Sequence, residues 1–177
     1  AGVYTPQAFV MPAGVVMCVV ARAPYDGDGL RVRNLQTGAV FTVRFMSTDA
    51  PELRGAFVSA TQPGGYAMRD SLRTLVRVGD TVYVDLRPAG RVRVSFGRKL
   101  ADVYLNNAAH THLGYETIRR GWAWYRPTQG RVNGDIPLFM AEAHARAQEL
   151  RLGVFAAPVF PTAPWKWRDR NDYKTGG

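Results

Sequence analysis

Between residues 15 and 105 the chain consists of short runs rich in Val, Phe and Arg, closed by turn residues, with a single helical stretch among them. Short strands joined by tight turns bury their apolar sides by closing on one another, and this constrains the fold more than any other feature. The first run covers residues 15–23, the second 30–34 and the third 39–46. In the third, Phe41, Val43 and Phe45 share one face and Thr42, Arg44 and Met46 the other, so Arg44 points away from the most apolar face. A loop through Gly64 and Gly65 leads into a helix with Met68, Leu72, Leu75 and Val76 at helical spacing. Residues 81–86 and 91–96 read as a hairpin around Pro88-Ala89-Gly90, with Val82, Val84, Val92 and Val94 facing alike. A further strand continues over 100–105. Two helices follow, over 112–121 and 136–150. The second has Asp135 at its N-cap, Pro137 in its first turn, and an apolar stripe of Phe139, Ala143, Ala147 and Leu150. About five strands in order, one helix after the third and two at the end predict an α+β fold. The expected form is a five-stranded oligonucleotide/oligosaccharide-binding (OB) barrel with three helices.

The chain divides into an N-terminal arm (1–14), the barrel domain (15–157) and a tail containing Pro and Trp (158–177). The arm has Pro6, Pro12 and little pattern, and reads as loose. In the tail, Pro164-Trp165-Lys166-Trp167-Arg168 reads as an anchor holding the segment to the domain, and Thr175-Gly176-Gly177 as a disordered end. A length of 177 residues suits one domain with a sizeable core. Net charge is +9, and lysine occurs only at Lys99, Lys166 and Lys174. Arginine suits polyanions, because its planar fork matches phosphate oxygens two at a time. The single cysteine, Cys18, excludes an internal disulfide framework and a Cys-rich zinc site, and reads as a buried small hydrophobe. No apolar stretch approaches the length of a membrane span.

The stretch Tyr25-Asp26-Gly27-Asp28-Gly29-Leu30 reads, taken alone, as an Asp-Gly hairpin turn. Further on comes Arg44-Phe45-Met46-Ser47-Thr48-Asp49-Ala50-Pro51-Glu52. There a strand ends, Pro51 stops any ladder, and two carboxylates flank the proline. Two strand ends can bring Asp28 and Asp49 to one rim of the sheet, where they repel unless a cation sits between them. All-oxygen ligation of that kind suits calcium or magnesium. Glu52 would then stand where it can act on a water. The plain alternative is a turn aspartate with a solvated glutamate. Alternation places Arg98 on the face of Val92, Val94 and Phe96, and Gly97 reads as a bulge that re-aims it.

The pieces Asp26-Gly27-Asp28, Arg44 with Asp49-Ala50-Pro51-Glu52, and Phe96-Gly97-Arg98-Lys99-Leu100-Ala101 resemble, in order and spacing, the staphylococcal nuclease family. Gly121-Trp122-Ala123 and Ala141-Glu142-Ala143-His144-Ala145-Arg146, followed by Leu152-Gly153-Val154-Phe155, resemble its last two helices. The resemblance covers residues 15–157. It implies that Asp28 and Asp49 ligate a catalytic Ca2+ together with the backbone carbonyl of Ala50, and that Asp26 shapes the site. It further implies that Glu52 is the general base and that Arg44 and Arg98 grip the scissile phosphate. Lys99, Phe96 and Tyr125 become candidate substrate contacts, Tyr125 by stacking on a base. Phe96 departs from the family's usual tyrosine, and the loop over 53–65 lacks the lysines of some relatives.

The expected activity is calcium-dependent hydrolysis of DNA and RNA with little sequence preference, leaving 3′-phosphates. Single strands are favoured, because a barrel groove lined with Arg follows the backbone. The alternative is a nuclease-fold module that binds single-stranded nucleic acid or a protein without cleaving. A plain single-strand binder would leave the carboxylates unexplained. His110, His112 and His144 lack metal partners and read as surface or helix residues. The expected protein is a monomer, secreted or periplasmic, where millimolar calcium suits a weak two-carboxylate site. A start at Ala1 fits either a mature form after signal-peptide removal or a trimmed chain.

Overall fold

The computed structural model describes residues 8–86, 93–95, 97–127 and 136–173, with 93–95 described in their backbone only. The Pro88-Ala89-Gly90 turn, Val92, Phe96, the Asp135 cap and the end over 175–177 lie outside the described residues, as does the side chain of Val94.

The strands are β1 (Val16–Arg22), β2 (Gly29–Asn34), β3 (Val40–Phe45), β4 (Thr48–Asp49), β5 (Thr81–Asp85), β6 (Arg93–Ser95), β7 (Arg98–Leu105) and β8 (Trp124–Tyr125). Antiparallel pairing joins β1 to β2, β2 to β3, β7 to β5 and β5 back to β1, while β3 and β7 run parallel. Those five strands close on themselves, so the barrel has no free edge among them. Alternation fills the interior: Cys18, Val20, Leu30, Val32, Val43, Val82, Val84 and Val103 are all buried there. Leu72 and Val76 join them from helix α1 (Gly65–Leu75) and its C-cap. Cys18 is 0% exposed, and burial pushes its thiol up to about 11, so it is the inert hydrophobe the sequence predicts.

The expected hairpin between 81–86 and 91–96 is not the pairing found. β5 lies between β1 and β7, whereas β6 folds back on β7, with Ser95 opposite Arg98. Gly97 has φ 76° and sits in that reversal. It is therefore a turn glycine rather than a bulge, since a left-handed residue is what so tight a return requires.

On the outer side of β3 and β7, Met46, Ala50, Leu100 and Tyr104 form a second core with Tyr115 and Ile118 of α2 (Leu113–Arg119) and Met140 and Ala143 of α3 (Ile136–Glu149). The stripe of α3 is rotated from the expected one: Ile136, Met140, Ala143 and Ala147 are buried, while Leu150 is 47% exposed. Phe9 enters the same core and donates its amide to the Ala109 carbonyl at 3.1 Å, so the arm is docked at that point.

The fold class holds, but there is a fourth helix, α4 (Pro164–Asn171), in the tail. Pro164 sits in its first turn, a position where the missing N–H costs nothing. Its Trp165 packs on a third cluster around Trp124, Val154 and Phe155, and Trp167 Nε1 donates to the Ala60 carbonyl at 3.0 Å. The tryptophans thus anchor the tail, as the sequence predicts. No helix among the described residues is long and apolar enough to cross a membrane.

Candidate active site

The segment around Asp28 is not a two-residue turn. It is a connection from β1 to β2 that presses against the ends of β3 and β4. A Cβ on Gly27 would lie 2.8 Å from the Ala50 Cβ, and one on Gly29 would lie 2.8 Å from the Val43 carbonyl oxygen. Neither glycine has a positive φ, so close approach, rather than turn geometry, demands them. That approach seats Asp28: its carbonyl accepts the Phe45 amide at 2.8 Å, and its Oδ2 accepts the Ala50 amide at 2.9 Å.

Asp49 is held from the other side. β4 pairs with β8, placing Asp49 opposite Trp124 and Thr48 opposite Tyr125. Arg126, next along the chain, donates its amide to the Ser47 carbonyl at 2.8 Å. Asp28 and Asp49 are 4% and 0% exposed, and Arg44 lies between them at 6%. Arg44 Nη2 stands 3.0 Å from Asp49 Oδ1 and 3.6 Å from Asp28 Oδ2. Its Nε is buried and finds no acceptor among the described residues. An unsatisfied donor of that kind costs about 1–3 kcal/mol, which native proteins tolerate chiefly where function requires it.

Glu52 is placed through its backbone. Its amide donates to Gln62 Oε1 at 3.1 Å and its carbonyl accepts the Gln62 amide at 2.8 Å. Gln62 in turn donates from Nε2 to the Thr162 carbonyl at 2.6 Å, tying this loop to the tail. Burial and the charges of Asp28 and Asp49 push the Glu52 carboxyl up, against the pull of Arg168. Burial and the neighbouring Asp28 likewise push Asp26 up to about 7, although Arg98 Nη1 stands 4.0 Å from its Oδ2.

The structure therefore brings together Asp26, Asp28, Arg44, Asp49, Ala50, Glu52 and Arg98. It does not bring Lys99 to them. Lys99 takes the face of β7 opposite Arg98, and its ammonium lies 4.4 Å from the centre of the Phe41 ring. Tyr125 is half-buried against the second core, one residue from Arg126, and pairs with Thr48 rather than Asp49 across the β4–β8 pair. Phe96 lies outside the described residues.

Two arginines at this rim have no counterpart in the sequence reading. Arg126 Nη1 reaches Asp49 Oδ2 at 3.0 Å, with its guanidinium 5.1 Å from the Trp165 ring centre. Arg168 of α4 reaches Asp49 with Nη2 to Oδ2 at 2.6 Å and Nη1 to Oδ1 at 2.9 Å, and its Nη1 also contacts Glu52 Oε1. The first carried a signal, since it directly follows a residue already singled out. The second carried only a helix-start proline in a tryptophan-rich tail.

A family model described as staphylococcal nuclease homologue matches residues 42–156. The chain belongs to the staphylococcal nuclease family. No curated protein matches it. The barrel with α-helical additions is the architecture of that nuclease fold, and the matched span contains Arg44, Asp49, Glu52, Arg98 and Arg126. Asp28 precedes the span and Arg168 follows it, so the rim combines nuclease-family residues with one from the tail.

The donors available to a divalent cation are Asp28, Asp49, Glu52 and the Ala50 carbonyl. All are oxygens, as calcium prefers, and burial with mutual repulsion raises Glu52 as a cation-hungry cluster should. As the side chains stand, no three His, Cys, Asp or Glu side chains among the described residues are gathered as a metal cage. Guanidiniums of Arg44, Arg126 and Arg168 hold the carboxylates instead. The donor chemistry fits a hard cation.

Proposed function

We propose that the protein is a calcium-dependent endonuclease that hydrolyses phosphodiesters of DNA and RNA with little sequence preference. One observation carries the reading. Carboxylates and guanidiniums from the β1–β2 connection, β3, β4 and β7 converge on a single rim of the barrel, although no stability requirement calls for so many buried charges together. Asp28, Asp49 and the Ala50 carbonyl would hold the cation. When bound, calcium supplies positive charge beside the phosphate being attacked.

Arg44 and Arg98 bind the scissile phosphate, and their fixed forks match the charge that grows on the phosphoryl oxygens. Glu52 accepts a proton from the attacking water, and the raised affinity of its carboxylate for protons suits that task. The water oxygen forms the new bond to phosphorus. The bond from phosphorus to the 5′ oxygen breaks, and that oxygen takes up a proton from solvent while Glu52 returns its own, leaving a 3′-phosphate and a 5′-hydroxyl. Tyr125, one residue before Arg126, offers the exposed part of its ring for base stacking, which favours single-stranded substrate. A secreted or periplasmic setting suits a site built on few carboxylates.

A second reading, a nucleic-acid-binding module without catalysis, draws on the contact of Arg168 with Asp49 and Glu52. Cleavage of a fluorescent single-stranded DNA, with calcium and with a calcium chelator, separates the two. Cutting should require calcium and fall by about 100-fold or more in Glu52→Gln. Tight binding with no cutting in any divalent metal would establish the module instead.

A further inference from the structure

The four acceptor positions of Asp49 are fully taken. A carboxylate offers about two lone-pair sites on each oxygen. Oδ1 receives Arg44 Nη2 at 3.0 Å and Arg168 Nη1 at 2.9 Å, while Oδ2 receives Arg126 Nη1 at 3.0 Å and Arg168 Nη2 at 2.6 Å. A cation ligated by Asp49 must displace one of these donors. Displacing Arg126 would free one position on one oxygen, and displacing Arg44 one position together with Asp28 Oδ2. Displacing Arg168 would free a position on both oxygens and release Glu52 as well.

Charge points the same way. Four acids (Asp26, Asp28, Asp49, Glu52) face four arginines (Arg44, Arg98, Arg126, Arg168), so the rim is formally neutral without any metal. An added divalent cation would meet an already balanced site, which low local dielectric makes costly. Arg168 is also the donor that reaches the acids from the tail helix rather than from the barrel or the chain next to it. It rides on α4, which is fastened to the loop carrying Glu52: Ser59 donates its amide and hydroxyl to the Asn171 carbonyl at 2.9 and 2.8 Å, and Trp167 donates to Ala60. Its side chain is 24% exposed, so the guanidinium can swing outward without unpacking the core.

We propose that Arg168 is a built-in competitor of the divalent cation. Its guanidinium occupies the Asp49 and Glu52 carboxylates in the metal-free protein and must leave them when metal binds, so α4 sets the metal affinity of the site. The inference rests on the reading that these carboxylates take a divalent cation.

Isothermal titration of the full chain with calcium chloride, after chelator treatment and at constant ionic strength, tests it in Arg168→Gln and Arg168→Lys. Removing a charge-assisted donor should tighten calcium binding by about tenfold or more in Arg168→Gln. Arg168→Lys keeps the charge but loses the fork, so it should fall between that variant and the native protein. It carries the test alone if circular dichroism shows Arg168→Gln unfolded. Unchanged or weaker calcium binding in the folded variants overturns the competition and leaves the nuclease reading standing. Absence of binding heat in all three proteins overturns both, because the carboxylates would then take no calcium even when freed of Arg168.

Discussion

Asp49 and Asp102 are both 0% exposed, yet they are partnered in opposite ways: guanidiniums crowd both oxygens of Asp49, whereas Asp102 Oδ2 finds no hydrogen-bond partner among the described residues. Asp102, on β7, lies 2.8 Å from His112 Nε2, while Nδ1 of the same ring accepts the Tyr115 amide at 3.0 Å. With Nδ1 accepting, Nε2 must donate, so one imidazole caps α2 and supplies a donor to Asp102 Oδ1. The partners of that ring are ten and three residues away along the chain. Asp49 instead draws guanidiniums from 5, 77 and 119 residues away. A structural polar pair can be assembled locally from one donor. Three permanent cations on one carboxylate exceed what stability asks for, and that excess belongs with the proposed phosphate chemistry. Of the two expectations for His112, surface or helix, the helix holds: it is 1% exposed and caps α2.

Removing the acid from the crowded site should give the largest effect. Asp49→Asn leaves three guanidiniums around a neutral amide, and breaking buried pairs from one side costs about 3–5 kcal/mol. Urea unfolding should show that loss, and the remaining folded protein should fail to cleave DNA. A variant within about 1 kcal/mol of the native protein would mean the arginines are already well solvated, and the contrast with Asp102 would collapse.

His112→Ala acts on the other acid. It strips the cap from α2 and leaves a buried carboxylate without its donor, a loss of about 2–3 kcal/mol by the same unfolding measurement. Cleavage by the folded fraction should persist, because neither Asp102 nor His112 touches the rim. Loss of activity without loss of stability would break the division into a structural and a functional acid.

The same contrast explains what was legible in the sequence. Alternation in residues 39–46 placed Arg44 on the correct face, because strand period is a local property. Asp28 and Asp49 were legible because both sit where strands end, and strand ends meet at a barrel rim. Gly97 was misassigned because strand partners are not local: a glycine inside an extended run looks alike as a bulge or as a turn, and only the pairing of β6 with β7 decides it. Gln62 and Arg168 were invisible for a stronger reason. Each acts through a contact with a segment about a hundred residues away or more, and neither carries a pattern that marks it. His112 showed no signal because its partner Asp102 lies ten residues earlier on a strand, and no spacing pattern ties that acid to a helix start.

The smallest effect comes from a third acid, intermediate between these two. Glu116 on α2 is buried, which pushes its carboxyl up. Hydrogen bonds from Arg119 and Arg120, with their charges, more than reverse this and hold it below the usual 4.5. A lowered folded value means the native state favours the ionised form. Its contribution to stability is therefore fully present above the ordinary glutamate range and is lost as pH falls through the lowered value. Glu116→Gln should thus cost about 1 kcal/mol at neutral pH, since both arginines are partly solvated, and the difference from the native protein should shrink towards zero in acid. Unfolding curves of the two proteins at neutral and acidic pH check this. A difference that stays constant with pH would show that Glu116 acts by packing rather than by charge, and so groups with Asp102 rather than between it and Asp49.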